Sequence, residues 1–351
     1  MRGYRSIRIG KDKISLLLDT NTFLKLVFLI MITLAIFIIS MSLGQVKVHP
    51  YTVVSSLFGG GSELEQLVIY QFRLPRTIAA MLVGMGLAVA GGILQGMIRN
   101  HLAAPDTIGV TAGAGMAVVA FLWFFSDERY SLIVSIKWLP VAAFVGASIV
   151  AFAVYFLSWK EGVTPIRLVL IGIGIAALMQ AGTTMFMVLG PIHMASQANI
   201  WITGSLNSVT WEDVNVLLPF TVILIILAFI SSRNVNVQAL GEDIATGVGS
   251  PVQRHRFILL MISTGLVGTA VAVAGGIGFV GLMAPHMARK LVGSSFGSLL
   301  PVSAFIGATL VMLADLVGRT LFLPSIVPAG VFTAAIGAPY FIYLLMKTKN
   351  S

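Results

Sequence analysis

The stretch RLPRTIAAMLVGMGLAVAGGILQGMIRNHLAAPDTIG, residues 73–109, decides how the chain must be read. It opens on Arg73 and Arg76 around a proline and runs uncharged for 22 residues, from Thr77 to Ile98. It closes on a basic, polar loop from Arg99 to Asp106. About 20 apolar residues, at 1.5 Å rise each, cross a bilayer core, so the middle of the stretch is a membrane span. Five glycines lie inside it: Gly84, Gly86, Gly91, Gly92 and Gly96. They would weaken a soluble helix, but in lipid small residues let neighbouring helices approach closely. The span is built to be packed against other spans.

The rest of the chain agrees. Of 351 residues, 57% are hydrophobic and 10% charged, against about 25% charged in an ordinary soluble domain. The composition is that of a polytopic membrane protein. The net charge of +9 comes from residues scattered at span ends rather than from a basic element, so nucleic acid is not a partner. The chain has no cysteine, which excludes disulfides, thiolate catalysis and cysteine metal sites.

Residues 1–25 form a basic tail, and 26–43 the first span, retained rather than cleaved. After the 73–98 span, apolar runs follow at about 107–125, 138–157, 168–189, 214–230, 257–283, 299–318 and 326–346. The C-terminal tail, 347–351, is basic like the N-terminal one, so both termini are expected on the cytoplasmic side, which needs an even count. A short, broken tenth span over 284–298 (APHMARKLVGSSFGS) supplies it. Six basic residues then fall outside, Lys47, Arg73, Arg76, Arg129, Lys137 and Arg319, and the remaining 16 of 22 inside. The expected fold is an all-α polytopic integral membrane protein of about ten transmembrane helices, with a single ten-helix domain over 26–346.

A weak inverted internal repeat is also present. AVAGGI occurs at 88–93 and 272–277, followed by Ala104-Pro105-Asp106 and Ala284-Pro285-His286. Inverted repeats are a transporter habit, with the pathway at their interface. Chemistry-bearing motifs are missing: the sequence has no GxxxxGK[ST] and no HExxH. Asp315 is the main ionisable residue within a span. It is read as a helix-end carboxylate paired with Arg319 at i+4 rather than as a proton relay. The lone His286 is read beside Pro285 as marking a helix break, not as a ligand. An ion-coupled secondary transporter needs carboxylates at mid-membrane and a membrane enzyme needs a catalytic cluster. The energy source is therefore expected outside this chain.

These landmarks resemble the FecCD-type permeases of bacterial ATP-driven importers. The resemblance covers about residues 25–346. It is carried, in order, by RLPR (73–76), LQGMIRNHLAAPDTIGVTAGAG (94–115), LVLIGIGIAALMQA (168–181), IWITGSL (200–206), ALGEDIATGVG (239–249), GGIGFVGLMAPHMARKLVG (275–293), LVMLADLVGRTL (310–321) and VPAGVFTAAIGAPYFIYLL (327–345). The chain departs from the family pattern at His101, where a proline is usual, and at Ile326, where a glutamate is usual.

The resemblance implies a permease subunit in a bacterial cell membrane, paired with a second permease, identical or homologous. It implies two cytoplasmic ATPase subunits that bind the ATP, no cofactor on this chain, and an extracytoplasmic binding protein. The cargo it implies first is an Fe(III)–siderophore, with haem or cobalamin as alternatives. Arg73, Arg76 and Arg319 are the implied contacts to acidic residues of the binding protein, a pairing that guanidinium geometry suits. The implied ATPase-coupling segment is 239–256, with Gly241, Glu242, Asp243, Ala245 and Gly249.

Overall fold

The structure, a computed structural model, describes residues 4–9, 14–126, 133–190 and 192–348. The basic residues Arg2, Lys11, Lys13, Arg129 and Lys349 lie outside the described residues. Two short strands, β1 (Tyr4–Ile9) and β2 (Ile14–Asp19), pair antiparallel at the start of the chain. All further regular structure described is helical.

In chain order the helices begin with α1 (Thr20–Ser42), α2 (Pro50–Leu57), α3 (Glu63–Leu67) and α4 (Leu74–Ile98), with a π-helical turn at Val68–Arg73 leading into α4. A 3-10 turn at Pro105–Ile108 precedes α5 (Val110–Phe124), then α6 (Leu139–Leu157), α7 (Pro165–Leu189) and α8 (Ile192–Thr203). Next come α9 (Trp211–Ile230), α10 (Ser232–Ala239) and α11 (Glu242–Gly247). The chain ends with α12 (Val252–Ala274), α13 (Val280–Val292), α14 (Phe296–Thr320) and α15 (Ala329–Thr348).

Among the described residues, eight helical segments are long and apolar enough to cross a membrane: α1, Glu63–Ile98, Ile136–Leu157, α7, α9, α12, α14 and Ala329–Lys347. The two remaining expected spans are the short helices α5, of 15 residues, and α13, of 13. Neither is long enough to cross about 30 Å of hydrocarbon alone. The shortness of α5 has a visible cause. A Cβ on Gly281 would lie 2.9 Å both from the Leu87 carbonyl and from Pro105 Cδ. Leu87 is midway along α4, so the chain leaves α4 at Arg99 and climbs back to that level before α5 starts.

The short tenth segment is present, but it is bounded differently from the sequence expectation. The break lies at Gly275, not at Pro285. Gly275 has φ +68°, a backbone conformation open to glycine, and it ends α12 at Ala274. Pro285 sits inside α13. It has no N–H to give the Gly281 carbonyl four residues back, and that carbonyl faces Gly91 of α4 instead.

The AVAGGI copies therefore differ in structure. Residues 88–93 are helical throughout α4, whereas 272–277 straddle the end of α12.

Helix α4 is the axis of the fold. In its apolar window 83% of residues are buried, against 11% for α1 and 17% for α7, so α4 sees protein on every side while α1 and α7 present most of their surface outward. Its glycines decide how close the neighbours come. Gly84 and Gly307 of α14 face each other so tightly that a Cβ on either would overlap the other's carbonyl oxygen, and Gly91 stands against the Gly281 carbonyl in the same way. Dispersion between backbones at contact distance replaces the hydrophobic effect, which is absent between helices in lipid.

At the opposite end of α4 three guanidiniums meet. Arg73 donates to the carbonyls of Met41 (2.6 Å), Ser42 (3.1 Å) and Val46, and Arg319 to the carbonyls of Leu43 (2.7 Å) and Ser40. The last carbonyls of α1 have no intrahelical partners and carry the negative end of its dipole. Two arginines from α4 and α14 thus cap it. Arg76 grips Asp315 with Nε at 3.0 Å from both carboxylate oxygens and Nη2 at 2.7 Å from Oδ1. Arg319 Nε lies 3.5 Å from Asp315 Oδ2, the expected i+4 pair.

Two outcomes test this packing. Gly91→Ala is expected to cost about 1–3 kcal/mol through overpacking and lower the melting midpoint of the detergent-solubilised protein. Gly247→Ala, where nothing lies within 4 Å, should leave it unchanged or raise it. Asp315→Asn strips the buried guanidiniums of their shared counter-charge and is expected to cost about 3–5 kcal/mol, read in the same melting assay.

Candidate functional site

Three regions bear on function: the arginine cluster at one end, the α10–α11 segment at the other, and a cavity between them. The structure brings Arg73, Arg76 and Arg319 together as the sequence expects, but it turns them inward. Arg73 is 7% exposed and Arg319 8%, with their donors committed to the end of α1. Arg76 is partly buried, and besides Asp315 its Nη1 holds the Asn207 side-chain oxygen at 2.9 Å. Three guanidiniums stand around one carboxylate, so the cluster itself keeps a local positive surplus although the groups that create it are recessed.

At the other end, Gly241 (φ +122°) turns the chain out of α10 and into α11. Glu242, the first residue of α11, is tied back to the body: Arg256 Nη2 of α12 lies 3.3 Å from its Oε2, and Gln253 Nε2 donates to Oε1 at 3.4 Å. Arg256 is buried and also donates to the Val163 carbonyl, while Gln253 Oε1 accepts from the Val163 N–H at 2.9 Å. This clamps the α6–α7 connection to the base of α12. Ala245 is the buried residue of α11, whereas Asp243 and Gly249 are exposed. Of the five residues expected in this segment, Gly241, Glu242 and Ala245 thus shape and anchor the helix, and Asp243 and Gly249 lie on its surface.

The sequence reading missed the apolar residues between them. Leu240, Ile244 and Val248 are 65%, 54% and 68% exposed; Ile244 lies within α11, and Leu240 and Val248 flank it at the ends of α10 and α11. The signal was legible: three large apolar residues in an otherwise polar segment. Exposed apolar residues clustered next to a membrane-spanning bundle mark a protein contact.

The cavity lies between α5, α7, α8 and the 275–279 turn and has a volume of about 400 Å³. Alanines and glycines make much of its wall, among them Ala112, Gly115, Ala176, Ala177 and Gly276. Asp106, Thr111, Gln180 and Thr183 give it polar groups, and Trp201 one aromatic wall. Asp106 is a correction to the sequence reading, which assigned it to the loop at the end of the second span. It follows Pro105 and therefore stands level with the middle of α4, whereas Asp315 lies at the arginine end of the bundle.

His286 does not join either site. Its ring stands edge-on to Tyr340, with centroids 5.9 Å apart. Among the described residues no three His, Cys, Asp or Glu side chains gather as a metal-ion ligand set.

Comparison with known proteins agrees along nearly the whole chain. A family model described as the FecCD transport family matches residues 32–347. The probable siderophore transport system permease protein YfhA of Bacillus subtilis (strain 168) is 58% identical over 328 residues, 93% of this chain and 96% of that protein. The iron(3+)-hydroxamate import system permease protein FhuG of the same organism is 43% identical over 320 residues, 91% of this chain and 95% of its own. Among solved structures, a metal-chelate type ABC transporter in an inward-facing conformation superposes with a TM-score of 0.81 at 29% identity, covering 92% of this chain and 99% of that one. The bundle of long and broken helices, with its glycine-packed axis, belongs to a member of the FecCD transport family.

Proposed function

We propose that this chain is the membrane permease subunit of an ATP-driven importer that moves ferric siderophore complexes inward. The observation that carries the reading is the full-length identity of 58% and 43% to permeases named for siderophore and iron–hydroxamate import. The geometry supports it in three places.

Ile244 of α11, with the exposed Leu240 and Val248 on either side of it, is the seat for a cytoplasmic ATPase subunit, which binds and hydrolyses the ATP. Glu242 and Arg256 connect that seat to α12. The positive surplus around Arg73, Arg76 and Arg319 lies on the extracytoplasmic side and attracts the acidic surface of a cargo-binding protein. Because the guanidiniums are recessed, attraction there works through field and orientation more than through exposed ion pairs. The exposed apolar lengths of α7 and α15 face lipid and a second permease, identical or homologous, across a shared pathway. Both chain termini then lie on the cytoplasmic side of a bacterial cell membrane, the side where Lys and Arg accumulate.

Transport follows from rearrangement of these packed helices rather than from chemistry on the chain. ATP turnover on the partner subunits shifts α11, and the pathway switches between outward and inward access.

In cells lacking the gene, uptake of radiolabelled iron as a trihydroxamate complex should fall to background and return when the chain is restored. Uptake of haem or cobalamin lost in its place would reassign the cargo. The double variant Ile244→Asp/Val248→Asp should reach the membrane at normal levels. It should bind the ATPase subunit about tenfold or more weakly, the scale of a lost interface anchor, measured by co-purification, and lose uptake in parallel.

A further inference from the structure

The cavity has an unusual imbalance. Asp106 Oδ1 accepts a hydrogen bond from Thr111 Oγ1 at 2.7 Å. The carboxylate also accepts a hydrogen bond from the Phe279 backbone N–H, and its Oδ2 lies beside Gly278. The residue is exposed to the cavity it lines, and no Lys, Arg or His is among the lining residues. The contrast with Asp315 is sharp, since that carboxylate is buried and held by two arginines. A carboxylate held in place at mid-bundle, open to a cavity and without a cationic partner from its own chain, is arranged to receive a positive charge from elsewhere.

The remaining lining fits a ligand group rather than a packed core. Gln180 stands exposed on α7 opposite Asp106, adding an amide that can both donate and accept. Ala112, Gly115, Ala176, Ala177 and Gly276 leave the space unfilled, and about 400 Å³ admits one arm of a chelate rather than a whole one.

We propose that Asp106 is the charge-reading residue of a cargo subsite. It accepts an ammonium or similar cationic group at the periphery of the ferric chelate and disfavours chelates bearing an anionic group there. The subsite rests on the importer reading above and adds to it the charge class of the cargo. Thr111 is a positioning residue, since it fixes the carboxylate through its hydroxyl without itself needing to touch cargo.

The test uses one hydroxamate core at three charges: ferrioxamine B with its pendant ammonium, its neutral N-acetyl derivative, and its anionic N-succinyl derivative. Uptake of each is measured in cells carrying the complete importer, and each variant is compared with wild type for the same chelate, so that delivery by the binding protein cancels. Asp106→Asn is expected to lower kcat/KM for the ammonium form about tenfold, the value of one lost charge contact, mainly through KM. The acetylated form should stay within about twofold of wild type, and the succinylated form should improve.

Ala177→Lys places a cation on the α7 wall of the cavity and leaves Asp106 and Thr111 in place. It should produce the same selective loss, and it carries the test if Asp106→Asn fails to reach the membrane. Equal losses across the three chelates, or no change for any, would overturn the subsite while the importer reading stands. Failure of the wild type to import any of the three would instead remove the hydroxamate cargo itself, and the subsite with it.

Discussion

The structure depends on backbone meeting backbone at the glycines of α4. A soluble bundle can rely on expelling water from between its helices, but a bundle in lipid gains little from that, because a lipid tail is as apolar as a leucine. What remains is contact distance. At Gly84 with Gly307 and at Gly91 with Gly281 there is no space for even one carbon more. These contacts let α13 and α14 close onto a single helix, and they help explain why the most glycine-rich span is also the most buried. Helix α1, which has no glycine, lies at the rim. The Gly91 contact also absorbs the defect at Pro285, since the carbonyl that the proline leaves unpaired is the one α4 accommodates.

Charge inside the bundle follows a separate logic. Arg73 and Arg319 are bound mostly by carbonyls rather than by carboxylates, because the end of α1 offers a ring of unsatisfied acceptors and the favourable pole of a helix dipole. One carboxylate, Asp315, then suffices to hold Arg76 and to approach Arg319. The arrangement ties three helices that are distant in sequence, α1, α4 and α14, into one corner. The same residues can therefore brace the fold and carry a local surplus of positive charge, and the two roles do not compete.

Much of this was legible in the sequence. The apolar runs and the bias of Lys and Arg led to about ten spans, and the density of glycines in 84–96 marked α4 as a packed axis. The Asp315–Arg319 pair was readable from its i+4 spacing. What could not be read were features set by partners far along the chain. Whether a glycine breaks a helix or packs within it depends on its neighbours: Gly91 and Gly275 stand at the same place in the two AVAGGI copies, yet the first is helical and the second turns the chain. The depth of Asp106 depends on the climb of residues 99–105 along α4, which hydropathy reads only as a polar loop. The burial of Arg73 and Arg319 depends on the end of α1, some 30 and 280 residues away. The exposed Leu240, Ile244 and Val248 were readable in principle but were overshadowed by the neighbouring acids Glu242 and Asp243.

One consequence concerns how force travels through the molecule. Helices α9, α13, α14 and α15 each contain an internal proline, a point where a helix can bend. Helix α12 contains none over its 23 residues. Its base is fastened to α11 by Glu242 and Arg256. Its tip ends in the Gly275–Gly276 turn, where the Gly276 N–H donates to the Trp201 carbonyl on the cavity wall at 3.2 Å. The helix is thus a stiff strut, roughly 34 Å long at 1.5 Å per residue, with one end at α11 and the other at the cavity. A displacement of α11 would therefore reach the cavity along an unbroken helix, since the chain turns only past Ala274, at Gly275.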